Sequence, residues 1–217
     1  MSIAIKVENV NKTFGETAVL TDVSVELEKG KVHGLIGRNG SGKTMLMKCI
    51  CGFVPVTSGT ISINGKVLKK DFDIPENIGV IIETPGFLPG YTAYQNLRFL
   101  ADIKGTISKE KIRSSIEKVG LDPDSKKHVG KYSLGMRQRL GLAQAIMEDP
   151  DILILDEPMN GLDKEGVVDM RNYLLDLKKA GKTILIASHS AEDIEVLCDT
   201  VHEMDRGKIQ ALPKPID

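Results

Sequence analysis

The chain has 217 residues, 41% hydrophobic and 27% charged, with a formal net charge of −1, which describes an ordinary soluble domain able to bury one sizeable core. No run of Lys or Arg forms a stripe, so non-specific nucleic-acid binding has no visible electrostatic basis. The longest run of apolar side chains is four, against the roughly 20 of a membrane span, so the chain does not cross a bilayer unaided.

Met1 to Glu8 alternates and carries charge, as a strand does and a signal peptide does not. Val23, Val25 and Leu27 alternate with Asp22, Ser24, Glu26 and Glu28, a half-exposed antiparallel pattern ended by Lys29-Gly30. Lys31 to Gly37 reads as a short buried strand. It runs into Gly37-Arg38-Asn39-Gly40-Ser41-Gly42-Lys43-Thr44, which fits the phosphate-loop pattern G-x-x-x-x-G-K-[ST]. The glycines let the backbone curl until successive N–H groups face phosphate oxygens. Lys43 supplies a flexible charge for the β- and γ-phosphates, and the Thr44 hydroxyl is a hard oxygen ligand for Mg²⁺. Beyond Thr44, apolar residues recur at Leu46, Cys49/Ile50 and Phe53, which predicts a helix whose N-terminus adds its own dipole to the anion site.

Thr60 to Asn64 alternates again, and Asn64-Gly65 predicts a tight hairpin into Lys66-Val67-Leu68. Ile78–Ile82, Ile152–Leu155 and Thr183–Ala187 are short, nearly unbroken aliphatic runs, as expected of parallel strands covered on both faces. Between about Pro85 and Pro150 the pattern turns helical. One helix is predicted over Thr92–Lys104. A second opens at Ser108 and carries Ile112, Ile116 and Val119 to a stop at Gly120. A third follows Ser133 with Met136, Leu140, Ala143 and Met147 on one stripe. Val167, Met170, Leu174 and Leu177 mark a further helix closed by Gly181, and a last strand falls near Lys208–Leu212. The three cysteines, Cys49, Cys51 and Cys198, read as small core hydrophobes of a reducing compartment. The expected fold is α/β over residues 1–217: a phosphate-loop core with a mostly parallel sheet, an N-terminal antiparallel subdomain, and a helical subdomain inserted at about 85–150.

Asp151 to Glu157 places two acids at the carboxyl end of a buried strand, the edge where an open parallel sheet binds ligands. Asp156 is positioned to hold Mg²⁺ or its water beside Thr44. Glu157 is positioned to orient and deprotonate the water that attacks a γ-phosphate. Upstream, Tyr132-Ser133-Leu134-Gly135-Met136-Arg137-Gln138-Arg139 offers a second anion site, because Ser133 can cap the helix that follows.

With these motifs in this order, from Met1 to about Leu212, the chain resembles the ATP-binding subunits of ABC transporters, whose signature Leu-Ser-Gly-Gly-Gln sits where Ser133 and Gly135 stand. The resemblance implies a head-to-tail pair of such subunits, a homodimer being the expected form. Ser133 and Gly135 of one protomer close on ATP held by Gly37–Thr44 of the other. It also implies that Phe14 stacks on adenine, that Asp163 contacts the partner protomer, and that His189, in Ala187-Ser188-His189-Ser190, reads the γ-phosphate. Expected cofactors are ATP and Mg²⁺. The expected partner is an integral membrane permease, and the expected location is the cytoplasm, peripherally on the inner face of the cell membrane. Among the departures from the family pattern, Glu83 stands for a Gln that serves the metal, Leu134 for Gly, and Met136 for Gln. Glu83 can still ligate Mg²⁺ through oxygen but adds negative charge. These variants resemble the branch of exporters that handle bacitracin- and lantibiotic-like peptides. A non-transport ATPase of the same family, of the DNA-maintenance or translation-associated kind, is the alternative. Its DNA-maintenance members insert a long coiled coil, whereas Phe53 to Ser133 holds only short helices.

Overall fold

The computed structural model describes residues 2–213; Met1, the first residue of the predicted opening strand, lies outside them. In chain order the elements are β1 (Ile3–Phe14), β2 (Thr17–Glu28), β3 (Val32–Ile36), α1 (Lys43–Ile50), β4 (Ser58–Ile63), β5 (Lys66–Val67) and β6 (Ile78–Ile81). There follow α2 (Ala93–Lys104), α3 (Lys109–Lys118), a 3₁₀ turn (Val129–Lys131) and α4 (Leu134–Ile146). The chain closes with β7 (Ile152–Asp156), α5 (Lys164–Lys179), β8 (Thr183–Ala187), α6 (Ala191–Leu197), β9 (Thr200–Asp205) and β10 (Lys208–Leu212).

Two sheets result. One is antiparallel in the order β2-β1-β4-β5. Its β4–β5 hairpin turns through Asn64 and Gly65, both at positive φ (50° and 80°), the geometry that Asn-Gly tolerates best. The other has the order β10-β9-β3-β8-β7-β6, parallel from β9 to β6 with β10 added antiparallel at the edge.

The parallel strands divide two cores, and alternation along each strand decides which residue enters which. On β7, Ile152 and Ile154 face the core shared with α1 and the antiparallel sheet, while Leu153 and Leu155 face the helices α2 to α5. On β8, Leu185 and Ala187 join the first core, and Ile184 and Ile186 the second. Every residue of both strands is buried, which is why neither shows the polar alternation of an antiparallel strand. His33 is buried in β3 with both ring nitrogens engaged, Nδ1 with Thr200 Oγ1 (2.7 Å) and Nε2 with the Glu28 carbonyl (2.9 Å). Burial lowers its pKa below the usual imidazole range.

The predicted helix after the phosphate loop is shorter than its apolar spacing suggests. α1 stops at Ile50, the chain turns at Gly52 with φ 73°, and Phe53 is 55% exposed rather than part of the core stripe. The physical reason lies at Gly52. A left-handed glycine ends a helix, and that signal outweighs one more apolar residue in register. α6 and β9, both short, carry no strong periodic pattern and complete the fold without having been expected.

Cys49 and Cys51 are buried, and desolvation pushes their thiols up to about 11 and about 12. A raised pKa leaves the protonated thiol dominant, so at pH 8 the native protein should resist an aromatic disulfide reagent at both positions. Mass mapping after a short exposure should find them modified only in denaturant. Fast native labelling of either would contradict this packing.

Candidate functional site

β3 delivers the chain into the glycine loop, and the loop's backbone explains its composition. Gly37, Gly40 and Gly42 have φ of 141°, 79° and 111°, all in the region that side chains avoid. A Cβ on Gly37 would also collide with the Met204 carbonyl. Gly42 is the N-cap of α1 and offers no side chain, and the first turn of α1 holds no acid. The other five α-helices are each capped by a side chain, from Thr92, Ser108, Ser133, Asp163 and Ser190. The N-terminal N–H groups of α1 are thus left for a ligand, and the dipole favours an anion.

The side chains around this loop point the same way. The Ser41 hydroxyl is buried with no hydrogen-bond partner among the described residues, a state that asks for an incoming group. Lys43, 6% exposed, turns its ammonium back onto the loop's own carbonyls, donating to Gly37 O (2.6 Å) and Arg38 O (3.2 Å). The Thr44 hydroxyl donates to Asp156 Oδ2 at 2.6 Å, joining α1 to the end of β7. Thr44, Asp156, Glu157 and Glu83 line one cavity of about 570 Å³ with Gly40–Lys43. Among the described residues no group of three His, Cys, Asp or Glu side chains could hold a metal alone. The donor set suits an ion such as Mg²⁺, which keeps waters and takes phosphate oxygens as ligands beside one or two protein oxygens.

Glu157 follows β7 with φ 51°, a conformation a non-glycine residue adopts at a cost of about 1–3 kcal/mol. Three contacts hold it there. Its N–H donates to the Ala187 carbonyl (2.9 Å), and its own carbonyl accepts from Asn160 N (3.1 Å) and from Gln138 Nε2 (3.2 Å). Its carboxylate meets His189 Nδ1 at 2.8 Å. Glu83 shares the unusual backbone, with φ 61°, and its carboxylate is paired with Lys48 of α1 at 2.6 Å. The extra negative charge at this position therefore has a counter-ion at hand.

The structure brings Gly40, Ser41, Gly42, Lys43, Thr44, Asn39, Glu83, Asp156 and Glu157 to the cavity wall. Gly37, Arg38, Ser133, Gly135, Asp163, His189 and Phe14 stand outside that lining. His189 nevertheless reaches it through Glu157. Phe14 ends β1, 51% exposed, with the Lys12 ammonium 4.5 Å from its ring centroid. Asp163 spends one carboxylate oxygen on the Gly166 N–H (3.0 Å) as the cap of α5. Ser133 caps α4 at the surface, accepting from Met136 N at 3.2 Å. Gly135 has a local reason as well: a Cβ there would lie 2.7 Å from the Gly161 carbonyl, so α4 packs backbone to backbone on the loop after Glu157.

Sequence reasoning passed over Gln138, which is 5% exposed, lines the cavity and holds Glu157. Its signal was present: it sits three residues after Gly135 and four before Leu142, hence on the buried side of the helix. Lys48 was passed over too, because a lysine on a helix reads as solvated.

A family model described as ABC transporter matches residues 20–160. The chain is 47% identical to the uncharacterized ABC transporter ATP-binding protein YybJ of Bacillus subtilis (strain 168), over 98% of this chain and 97% of that one. It is 42% identical to the bacitracin transport ATP-binding protein BcrA of Enterococcus faecalis, over 96% of this chain and 68% of the relative. A solved dimeric, post-hydrolysis state of the ATP-binding cassette MJ0796, bound to ADP and Pi, aligns with a TM-score of 0.87, covering 98% of this chain and 99% of that one. At 21% identity that likeness is one of fold.

Gly135→Ala should destabilise the fold by about 1–3 kcal/mol, the usual cost of overpacking, read as a lower urea midpoint at unchanged slope. A variant as stable as the parent would show that α4 does not rest on Gly161.

Proposed function

This chain belongs to the ABC transporter ATP-binding family, and on that premise we propose that it is the ATP-hydrolysing subunit of a transporter whose membrane-spanning part is a separate permease. The observation that carries the reading is the joining of Thr44 to Asp156, with Glu157 and His189 in contact beside them. Phosphate cradle, metal oxygens and base–histidine pair share one sheet edge.

In this reading the N–H groups of the Gly37–Thr44 loop and the Ser41 hydroxyl take the phosphates. Lys43 exchanges its carbonyl partners for phosphate oxygens. Thr44, Asp156 and Glu83 would hold Mg²⁺, which would supply positive charge against the phosphates. Glu157 accepts a proton from water as the water oxygen bonds to the γ-phosphorus. The bond from that phosphorus to the β-phosphate oxygen breaks, leaving ADP and inorganic phosphate. His189, hydrogen-bonded to Glu157, orients the base and adds positive character next to the transferring group. Phe14 supplies an aromatic face for the adenine.

Ser133 presents a capped helix end at the surface of the same chain. Facing a second copy head to tail, that end and Gly135 close over the partner's nucleotide, with Asp163 at the contact. ATP then acts as a ligand of the closed pair, and hydrolysis releases it. No helix among the described residues is long and apolar enough to cross a membrane; in this reading a separate permease supplies the path. The chain works on that permease from the inner face of the cell membrane. The identity with a bacitracin transport subunit supports a peptide antibiotic as the cargo.

Glu157→Gln should keep ATP affinity while lowering turnover by about 10²–10⁴-fold, measured by phosphate release with Mg-ATP. The same variant should sediment as a dimer with saturating Mg-ATP and as a monomer without it. Normal turnover would remove Glu157 from its role, and a monomer under saturating nucleotide would remove the paired arrangement.

A further inference from the structure

We propose that Arg171 is a positioning residue for His189, acting through the buried carboxylate of Asp193; this rests on the reading of Glu157 and His189 given above. Asp193, 3% exposed, uses both its oxygens. Oδ1 accepts from Arg171 Nε at 2.8 Å and also from Nη2, and Oδ2 accepts from Ser188 Oγ at 2.9 Å. The backbone closes the arrangement. Ser190 N donates to Ser188 Oγ at 3.1 Å, and Asp193 N donates to Ser190 Oγ at 3.3 Å. On one side of His189, Ser188 is held by the Asp193 carboxylate; on the other, Ser190 is bound to the Ser188 hydroxyl and to the Asp193 backbone N–H.

His189 itself is 73% exposed at its side chain, so packing does not hold the ring. Its direction toward Glu157 depends on where the Ser188–Ser190 backbone stands. The other member of the pair is fixed independently, by Glu157 N on the Ala187 carbonyl and by Gln138. Arg171 comes from α5, and its remaining Nη1 meets the exposed Glu192 at 2.7 Å. The network walls a cavity of about 510 Å³ that opens beside Glu157 and His189. Two facing apolar side chains would stabilise the junction of α5 and α6 as well as a buried ion pair does, since desolvation offsets most of its attraction. What apolar side chains cannot do is accept the Ser188 hydroxyl and fix the loop's angle.

That difference supplies the test, on the purified full chain with Mg-ATP. Arg171→Met alone leaves Asp193 buried and unpaired, and its fold is expected to weaken. The joint variant Arg171→Met/Asp193→Leu removes both charges. It should stay folded, with a urea midpoint above that of Arg171→Met, and hold ATP affinity within about twofold, with KM little changed, while kcat falls about tenfold or more, part of what a misaligned acid–base group costs. Added to His189→Ala, the same two substitutions should change turnover by less than about twofold, because residues that act as one unit are not additive. In two-dimensional imidazole spectra of the four histidines, the joint variant should move the His189 signal while leaving that of the buried His33 in place. Parent-level turnover in the joint variant overturns the inference, as does an equal fractional loss on the His189→Ala background or an unmoved His189 signal. Hydrolysis that needs Glu157 and ignores Arg171 and Asp193 defeats this inference alone. Hydrolysis that ignores Glu157 defeats the reading beneath it too.

Discussion

Register in the parallel sheet is the constraint from which the site follows. Ala187 of β8 lies opposite Leu35 of β3 on one side and Asp156 of β7 on the other. The three strands therefore end within one residue of each other, and the phosphate loop, Glu157 and His189 leave the same edge of the sheet. A slip of one residue would displace a strand end by about 3.3 Å. That is more than the whole length of the Thr44–Asp156 and Glu157–His189 hydrogen bonds, at 2.6 and 2.8 Å. Close packing on both faces resists the slip, since each side chain would have to fill the space shaped for its neighbour in the other core; the polar chemistry thereby rests on the hydrophobic cores.

At the strand ends the local rules of folding are broken together. α1 is the one α-helix of the described residues without a side-chain cap. Ser41 keeps a buried hydroxyl without a partner, and Glu157 and Glu83 both sit at positive φ. Each costs stability by itself, and sites of chemistry are where such violations gather. Around them the structure over-determines the geometry, with two carbonyl contacts on Lys43, three backbone contacts on Glu157 and an ion pair on Glu83.

Elements whose signals are local were legible in the sequence. The Asn64-Gly65 turn, the caps at Thr92, Ser108 and Ser133, and the buried runs of β7 and β8 all stand where the residues placed them. The glycine loop and the two acids at the end of β7, Asp156 and Glu157, likewise meet at one cavity. What stayed hidden depends on distant partners. Phe53 kept helical spacing but lies past the turn that Gly52 makes. Gln138 and Lys48 are ordinary helix residues until folding sets them beside Glu157 and Glu83. Gly135 was read through the signature pattern alone, whereas its contact with Gly161 lies across 26 residues of chain and cannot be seen in either segment.

That contact has a mechanical meaning. Where Gly135 meets the Gly161 carbonyl there is no side chain between the two backbones to flex, and the Leu134 side chain fills the space a side chain on Gly161 would take. Close-packed atoms resist compression within tenths of an ångström. The start of α4 and the turn beyond Glu157 consequently behave as a stiff joint, in which neither half can tilt without carrying the other along.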